Sequence, residues 1–432
     1  MKYTNDDKIL AAATVLSAQR ANPVEVLTPT NLDEAKEQFK EKAGAAICAG
    51  SDNFPSSACP TFVYNEDLLR KTVKGGRAME EALETIENNV EAENDRDEAI
   101  LKIVKTRAND AILTANAAQA ILNKNDEETH SALLAKYDAP SPVQCIEAHN
   151  LAQSHAPREA KSILTDKDRD DLGMITSVIT AKDLKRIFTS AMLFLGIKPW
   201  NIEIPKNCIA IDVRDISAAG VPTIFIPESR KVDPPKAVEL ICHEIFCHLR
   251  GSDNGQKFFG KVLADTPLLP LAPILAKSDN ETLYEGVAKI SDVSVRGSDG
   301  LPDPLTLVAI DFARRGLSFA EVAHAVYSIR KTTMSSEKAL NAAWIKTYRV
   351  FRGATDTVTN KGSYAYPKDA AYNIGYEKAK ELAKDPVYAN YASMKIDEIE
   401  MLDKLFPEFR AMPRNYDIHT LIEKALDIVI NG

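Results

Sequence analysis

The 432-residue chain has no long hydrophobic run, few cysteines and no excess of positive charge. No window approaches the roughly 20 uninterrupted apolar residues needed to span a bilayer. Even Thr266 to Ala276, broken by three prolines, is too short. The apolar stretch from Ile9 to Leu16 has no clear cleavage site, which argues against a secretion signal. Six cysteines (Cys48, Cys59, Cys145, Cys208, Cys242, Cys247) without a C-x-x-C pair predict free thiols in a reducing compartment rather than a disulfide framework. A net charge of -9 argues against nucleic acid or an anionic membrane as the main partner, because both select for surplus Lys and Arg. Together these absences predict a soluble, cytoplasmic protein.

What is present is mostly helical patterning. Asn31 and Glu34 read as a capping box opening a helix, and Ser318 with Glu321 as another, after Gly316 ends the preceding helix. From Leu68 to about Leu122, apolar residues recur at three- and four-residue spacings among many charges, predicting two or three amphipathic helices. The acidic run within Glu80 to Glu98 reads as a solvated helix face, with a partner surface as the alternative. The strand signal lies at 202–204, 209–213 and 223–226, where β-branched residues are separated by Pro, Asn and Gly. The expectation is an α+β, predominantly helical chain with a small sheet just before its most informative motif. A soft boundary near residue 160 separates a helical region, 1–160, from the rest, 161–432, and the two can be fused into one body.

That motif lies on a well-marked helix. Asp233 is a cap, Pro234 and Pro235 follow in the first turn, and Gly251 is expected to stop the helix. Val238, Ile241, Ile245 and Leu249 form an apolar stripe, with His243, Glu244 and His248 off it. His243-Glu244-Ile245-Phe246-Cys247-His248 is the zinc-peptidase pattern H-E-x-x-H with one added residue. On a regular helix, at about 100° per residue, side chains five apart diverge by about 140°. Two zinc-binding histidines at this spacing therefore require a π-bulge or an unwinding helix end. A hydrolytic zinc takes three protein ligands and leaves a position for water. The third candidate is Glu285, in a glutamate-glycine turn, with Glu281 as its competitor. Glu244 would then accept a proton from the attacking water and return it to the leaving amine. A surface His-Glu pair without metal is the plain alternative.

The segments HEIFCHLRGSDNG (243–255) and LYEGVA (283–288) resemble the microtubule-associated tyrosine carboxypeptidases and their bacterial relatives named for a QEGLA motif. TPTNLDEAKEQF (28–39), PTFVY (60–64), YRVFRG (348–353) and KDAAYNIGY (368–376) extend the resemblance over nearly the whole chain. It implies a zincin-like metallopeptidase region over 161–432, one Zn2+ held by His243, His248 and Glu285, Glu244 as catalytic glutamate, and a peptide or protein C-terminus as substrate. Phe246 and Cys247 stand where the family has Gly-Thr, and Tyr284 where it has Gln or Glu. The family's removal of tyrosine from α-tubulin is not carried over, since no long basic N-terminal extension that could hold a microtubule is evident.

A carboxypeptidase must bind a terminal carboxylate, which suits the guanidinium fork. Arg250, Arg349 and Arg352 lie in the family-like motifs and are candidates, with structural ion pairs as the alternative. Tyr372 or Tyr348 could donate to an oxyanion or line the pocket, or could simply pack in the core. Lys368-Asp369 reads as a support for a ligand or as a surface pair, and Asn254-Gly255 as a turn. Cys242 and Cys247 read as small buried hydrophobes, or as a fourth ligand of a structural zinc in a regulatory protein, or as the nucleophile of a cysteine hydrolase. His130, His149, His155, His324 and His419 receive no functional role.

Overall fold

The computed structural model describes residues 1–431 except 19–20, 52, 155–157, 199, 207–210, 215–221, 279–281 and 412–416. The chain is predominantly helical with small sheets. Between Leu68 and Leu122 there are two helices, Glu66–Asn89 and Asp95–Leu122, packed on one another. Each starts where an asparagine side chain caps it: Asn65 accepts from the Leu68 amide, Asn94 from those of Arg96 and Asp97. The acids between Glu80 and Glu98 are solvated, apart from Asp97, which is buried and holds the Met1 amino group.

The Ser318–Glu321 capping box is present, and Gly316 ends the preceding helix Leu305–Arg314 in a left-handed conformation, φ +86°. The Asn31–Glu34 box is not. The helix Leu32–Cys48 does start there, but the Asn31 side chain accepts from the Val63 amide and donates to the Thr61 carbonyl, tying down the 60–64 segment instead.

Seven short strands are described: β1 (Lys2–Tyr3), β2 (Val90–Glu91), β3 (Ile179–Thr180), β4 (Asn201–Glu203), β5 (Asp212–Arg214), β6 (Thr223–Phe225) and β7 (Lys231–Val232). The expected sheet is three-stranded, in the order β4-β6-β5. β4 runs parallel to β6 with Ile202 opposite Ile224, and β5 runs antiparallel to it with Val213 opposite Ile224. Ile209 and Ala210 lie outside the described residues. The ladders β1-β2 and β3-β7 were not expected, since two residues carry no alternation to read.

Three hydrophobic cores hold these elements. One lies under the motif helix: Ile241, Ile245, Phe246 and Leu249 meet Ile202, Val213, Ile224 and Ile226 of the sheet region. The helices Ala181–Phe194 and Ile418–Asn431 complete it. Fully burying one such side chain contributes about 1.5–3 kcal/mol, so the apolar stripe fixes which face of the helix looks away from the sheet. The other two cores draw from both sides of residue 160, so the regions 1–160 and 161–432 share their packing. Arg107 reaches Glu398 through two hydrogen bonds of 2.8 and 2.6 Å, with both side chains 2% exposed.

One helix crossing shapes the site directly. The helices Thr282–Arg296 and Ala370–Leu382 meet at Gly286 and Gly375. The backbones approach so closely that neither position has room for a Cβ.

Candidate metal centre

Asp233 caps the motif helix as expected, accepting from the Lys236 amide, with Pro234 in the first turn of Pro234–Leu240. The chain then widens into a π-helix over Ile241–Leu249, where the Arg250 amide donates back to the Ile245 carbonyl, and returns to α-helix over Arg250–Val262. The bulge answers the spacing problem: with hydrogen bonds reaching five residues back, His243 and His248 come to one face. Their rings stand edge to face with centroids 4.7 Å apart. Gly251 does not stop the helix and Asn254-Gly255 is not a turn; all three are helical. These glycines serve close packing, since a Cβ on Gly251 would come 3.3 Å from the Ser393 amide and one on Gly255 would come 2.8 Å from the Ala276 Cβ.

Glu285 is also helical, in the first turn of Thr282–Arg296, so the expected glutamate-glycine turn is a helix start. Glu281 lies outside the described residues. His243, His248 and Glu285 are the one group among the described residues whose side chains could jointly hold a metal ion, with ligand atoms all within 4.8 Å of one another. Glu285 Oε2 lies 3.6 Å from His243 Nε2 and 3.7 Å from His248 Nε2. These separations are too long for hydrogen bonds, and Glu285 Oε2 is buried without a hydrogen-bond partner. Tetrahedral bonds of about 2.05 Å put zinc ligands about 3.4 Å apart, so the trio fits a small divalent cation.

The two histidines are supported differently. His243 Nδ1 pairs with Asp292 Oδ1 at 2.9 Å, and Lys289 donates to Asp292 Oδ2 at 2.7 Å. This carboxylate leaves Nε2 free to face a metal. Asp292 lies two turns along the helix from Glu285, so its seven-residue spacing was the available signal, but it was not singled out in the sequence. His248 stacks on Tyr284, ring centroids 3.6 Å apart and planes 15° apart.

Burial disfavours charge on every one of these groups, and the neighbours decide the outcome. On His243, burial is overcome by the charge and hydrogen bond of Asp292, and the pKa rises well above the usual value. On His248, burial prevails and the pKa falls to about 4. Burial opposes ionisation of Glu285, but both histidines hold its pKa well below the ordinary value; Asp292 is held at about 2, burial being outweighed chiefly by His243. Glu244 is raised to about 7, first by burial and then by the charges of Glu285 and Asp292, with His243 opposing. The metal-free chain thus holds a protonated His243, a neutral His248 and an ionised Glu285 at neutral pH.

Among the other candidates, Tyr372 lies near Glu285. Burial first, and the Glu285 charge second, push its phenol pKa up, keeping the O–H a donor. Arg349 is engaged by the buried Asp369 through Nε, 2.5 Å, and Nη2, 2.8 Å; Lys368-Asp369 is therefore not a surface pair. Arg352 is buried, 5.7 and 5.8 Å from the ring centroids of Tyr348 and Tyr366. Arg250 is buried and donates to the Ala389 carbonyl at 3.4 Å. Tyr348 stacks on Trp344. Cys247 bonds Ser291 and Cys242 sits in the core beneath the helix; neither belongs to the ligand group. His149 pairs with Asp311, and His155 and Cys208 lie outside the described residues.

No helix among the described residues is long and apolar enough to cross a membrane. Comparison with known protein families, curated proteins and solved structures finds no match.

Proposed function

We propose that this chain is a zinc-dependent peptidase of the carboxypeptidase type, with His243, His248 and Glu285 as metal ligands and Glu244 as general base. The observation that carries the reading is the convergence of two imidazole nitrogens on Glu285 Oε2, a buried oxygen with no hydrogen bond of its own. A zinc ion bound there would lower the pKa of its water to about 7 and polarise the scissile carbonyl. The Glu244 carboxylate would take the proton of the attacking water and return it to the leaving nitrogen. In the metal-free chain burial raises its pKa to about 7, so the group is one that can both accept and return a proton near neutrality. The protonated phenol of Tyr372 is the donor for the developing oxyanion.

The choice of a carboxypeptidase rests on the resemblance of 243–255, 283–288, 348–353 and 368–376 to the tyrosine carboxypeptidase family. In this reading the substrate is a peptide or protein C-terminus, with Arg250, Arg349 and Arg352 as the candidates for its free carboxylate; Arg349 would have to share its guanidinium with Asp369 to serve.

Metal analysis on wild type and His243→Ala, purified in parallel, tests the centre. About one equivalent of zinc lost in the variant is expected. No metal in either protein after zinc reconstitution would remove the metallopeptidase reading. Peptides with free and amidated C-termini then separate the modes of cleavage: equal turnover of both would reassign the enzyme as an endopeptidase. Glu244→Gln should retain zinc and lose about 10²–10⁴-fold in turnover.

A further inference from the structure

His243 and His248 present the same nitrogen, Nε2, to Glu285, but what lies behind each ring differs. Behind His243 stands Asp292, itself held by Lys289. Behind His248 no carboxylate stands among the described residues: its Nδ1 is buried and has no hydrogen-bond partner there. Its ring lies against Tyr284, 3.6 Å between centroids with planes 15° apart. The Lys277 ammonium stands over the Tyr284 ring, 5.0 Å from its centroid, and donates to the Val213 carbonyl of β5 at 3.1 Å. Tyr284 also adjoins Glu285 in the first turn of its helix, so the aromatic platform and the third ligand are carried by the same few residues.

We infer that Tyr284 is a positioning residue for the metal centre, setting the plane of His248 by stacking where a carboxylate would ordinarily do so, and that the two histidines are unequal ligands. The inference rests on the metal-centre reading above. A ligand histidine is normally oriented and made a stronger donor by hydrogen-bonding its second nitrogen to a carboxylate, carbonyl or water. His243 has that support. His248 has a flat hydrophobic surface, anchored by a cation–π contact to Lys277 and through it to the edge strand of the sheet. His248 is then the weaker donor, held by shape.

The test uses the full chain with its histidines isotopically labelled for NMR, metal-free and zinc-loaded. The carbon-bound ring protons of His248 are expected upfield of ordinary imidazole positions, under the Tyr284 ring current. The Nδ1 proton of His243, on Asp292, is expected far downfield of that of His248. Tyr284→Phe should preserve both signatures and the zinc affinity. Tyr284→Leu should abolish the upfield shift, weaken zinc about tenfold in a chelator competition, and move the visible absorption bands of the cobalt-substituted protein.

Zinc uptake by wild type with His248 protons at ordinary positions would overturn the inference alone, and this measurement decides even where the leucine variant does not fold. A folded Tyr284→Leu protein with wild-type zinc affinity and cobalt spectrum would do the same. A wild type that takes up no metal would overturn the metal centre itself, and this inference with it.

Discussion

Gly286 and Gly375 meet where their helices cross, so tightly that a Cβ on Gly286 would lie 2.2 Å from the Gly375 carbonyl oxygen. A Cβ on Gly375 would lie 1.9 Å from the carbonyl oxygen of Thr282. Glu285 precedes the first glycine and Tyr372 lies about one turn before the second. The crossing is therefore what brings the Tyr372 phenol into the field of the Glu285 carboxylate.

Gly375→Ala should separate the two helices, because a backbone carbonyl cannot move aside as a side chain end can. Overpacking of this kind costs about 1–3 kcal/mol. Part of that cost will appear as a lower unfolding midpoint in urea, and part as weaker zinc binding, since Thr282 opens the helix that carries Glu285. A variant matching wild type in both would show that the crossing has slack.

Asp292→Asn keeps the shape of the side chain behind His243 and removes its charge. Zinc affinity should drop about 10–100-fold, as it does when outer partners of ligand histidines are replaced. The measurement is a chelator competition at fixed pH, and unchanged affinity would remove Asp292 from its supporting role.

The proton balance gives a third expectation. In the metal-free chain His243 is raised well above the usual histidine range while His248 sits at about 4 and Glu285 is ionised. Zinc binding at neutral pH should thus release at least about one proton, from His243, with further fractions from Glu244 and from a zinc-bound water. Affinity falls as pH falls, with a slope of at least about one log unit per pH unit near neutrality, steepening again below about pH 4 when His248 also takes a proton. Calorimetry in buffers of different ionisation enthalpy reads the proton count. Release of none at pH 7 would mean that His243 is already neutral there.

Far from the site, Glu398→Gln should cost about 3–5 kcal/mol, because it strands the buried Arg107 guanidinium without its counter-charge. Urea denaturation measures the loss. A change under about 1 kcal/mol would be the behaviour of a solvated pair, contrary to the 2% exposure of both side chains.

What could be read from the sequence was what short-range chemistry decides. The Asp233 cap, the Ser318–Glu321 box and the three strands near residues 202, 213 and 224 follow from neighbouring residues alone. So did the requirement for a widened helix, because a five-residue spacing of histidines has few ways to face one point. Misread positions were those whose meaning lies in a distant partner. Gly251 and Gly255 look like punctuation, but Ser393 and Ala276 make them packing positions inside a helix. Asn31 looks like a cap, and the backbone of Thr61 and Val63 captures its side chain instead. Tyr284 appears in sequence as a departure from a motif, and only the fold places a histidine ring against it.

The core beneath the motif helix has an implication for biosynthesis. His243, His248 and Glu285 are all synthesised before residue 290, whereas Leu421, Ile422 and Ala425, which share a hydrophobic core with Ile241 and Ile245, come much later in the chain. A growing chain thus carries all three candidate ligands, on two helices, while the underside of the motif helix is still wet. On the metal-centre reading, capture of an ion in its final geometry waits for the helix Ile418–Asn431 to be made, and a chain halted short of that helix would carry the candidate ligands without the packing that aligns them.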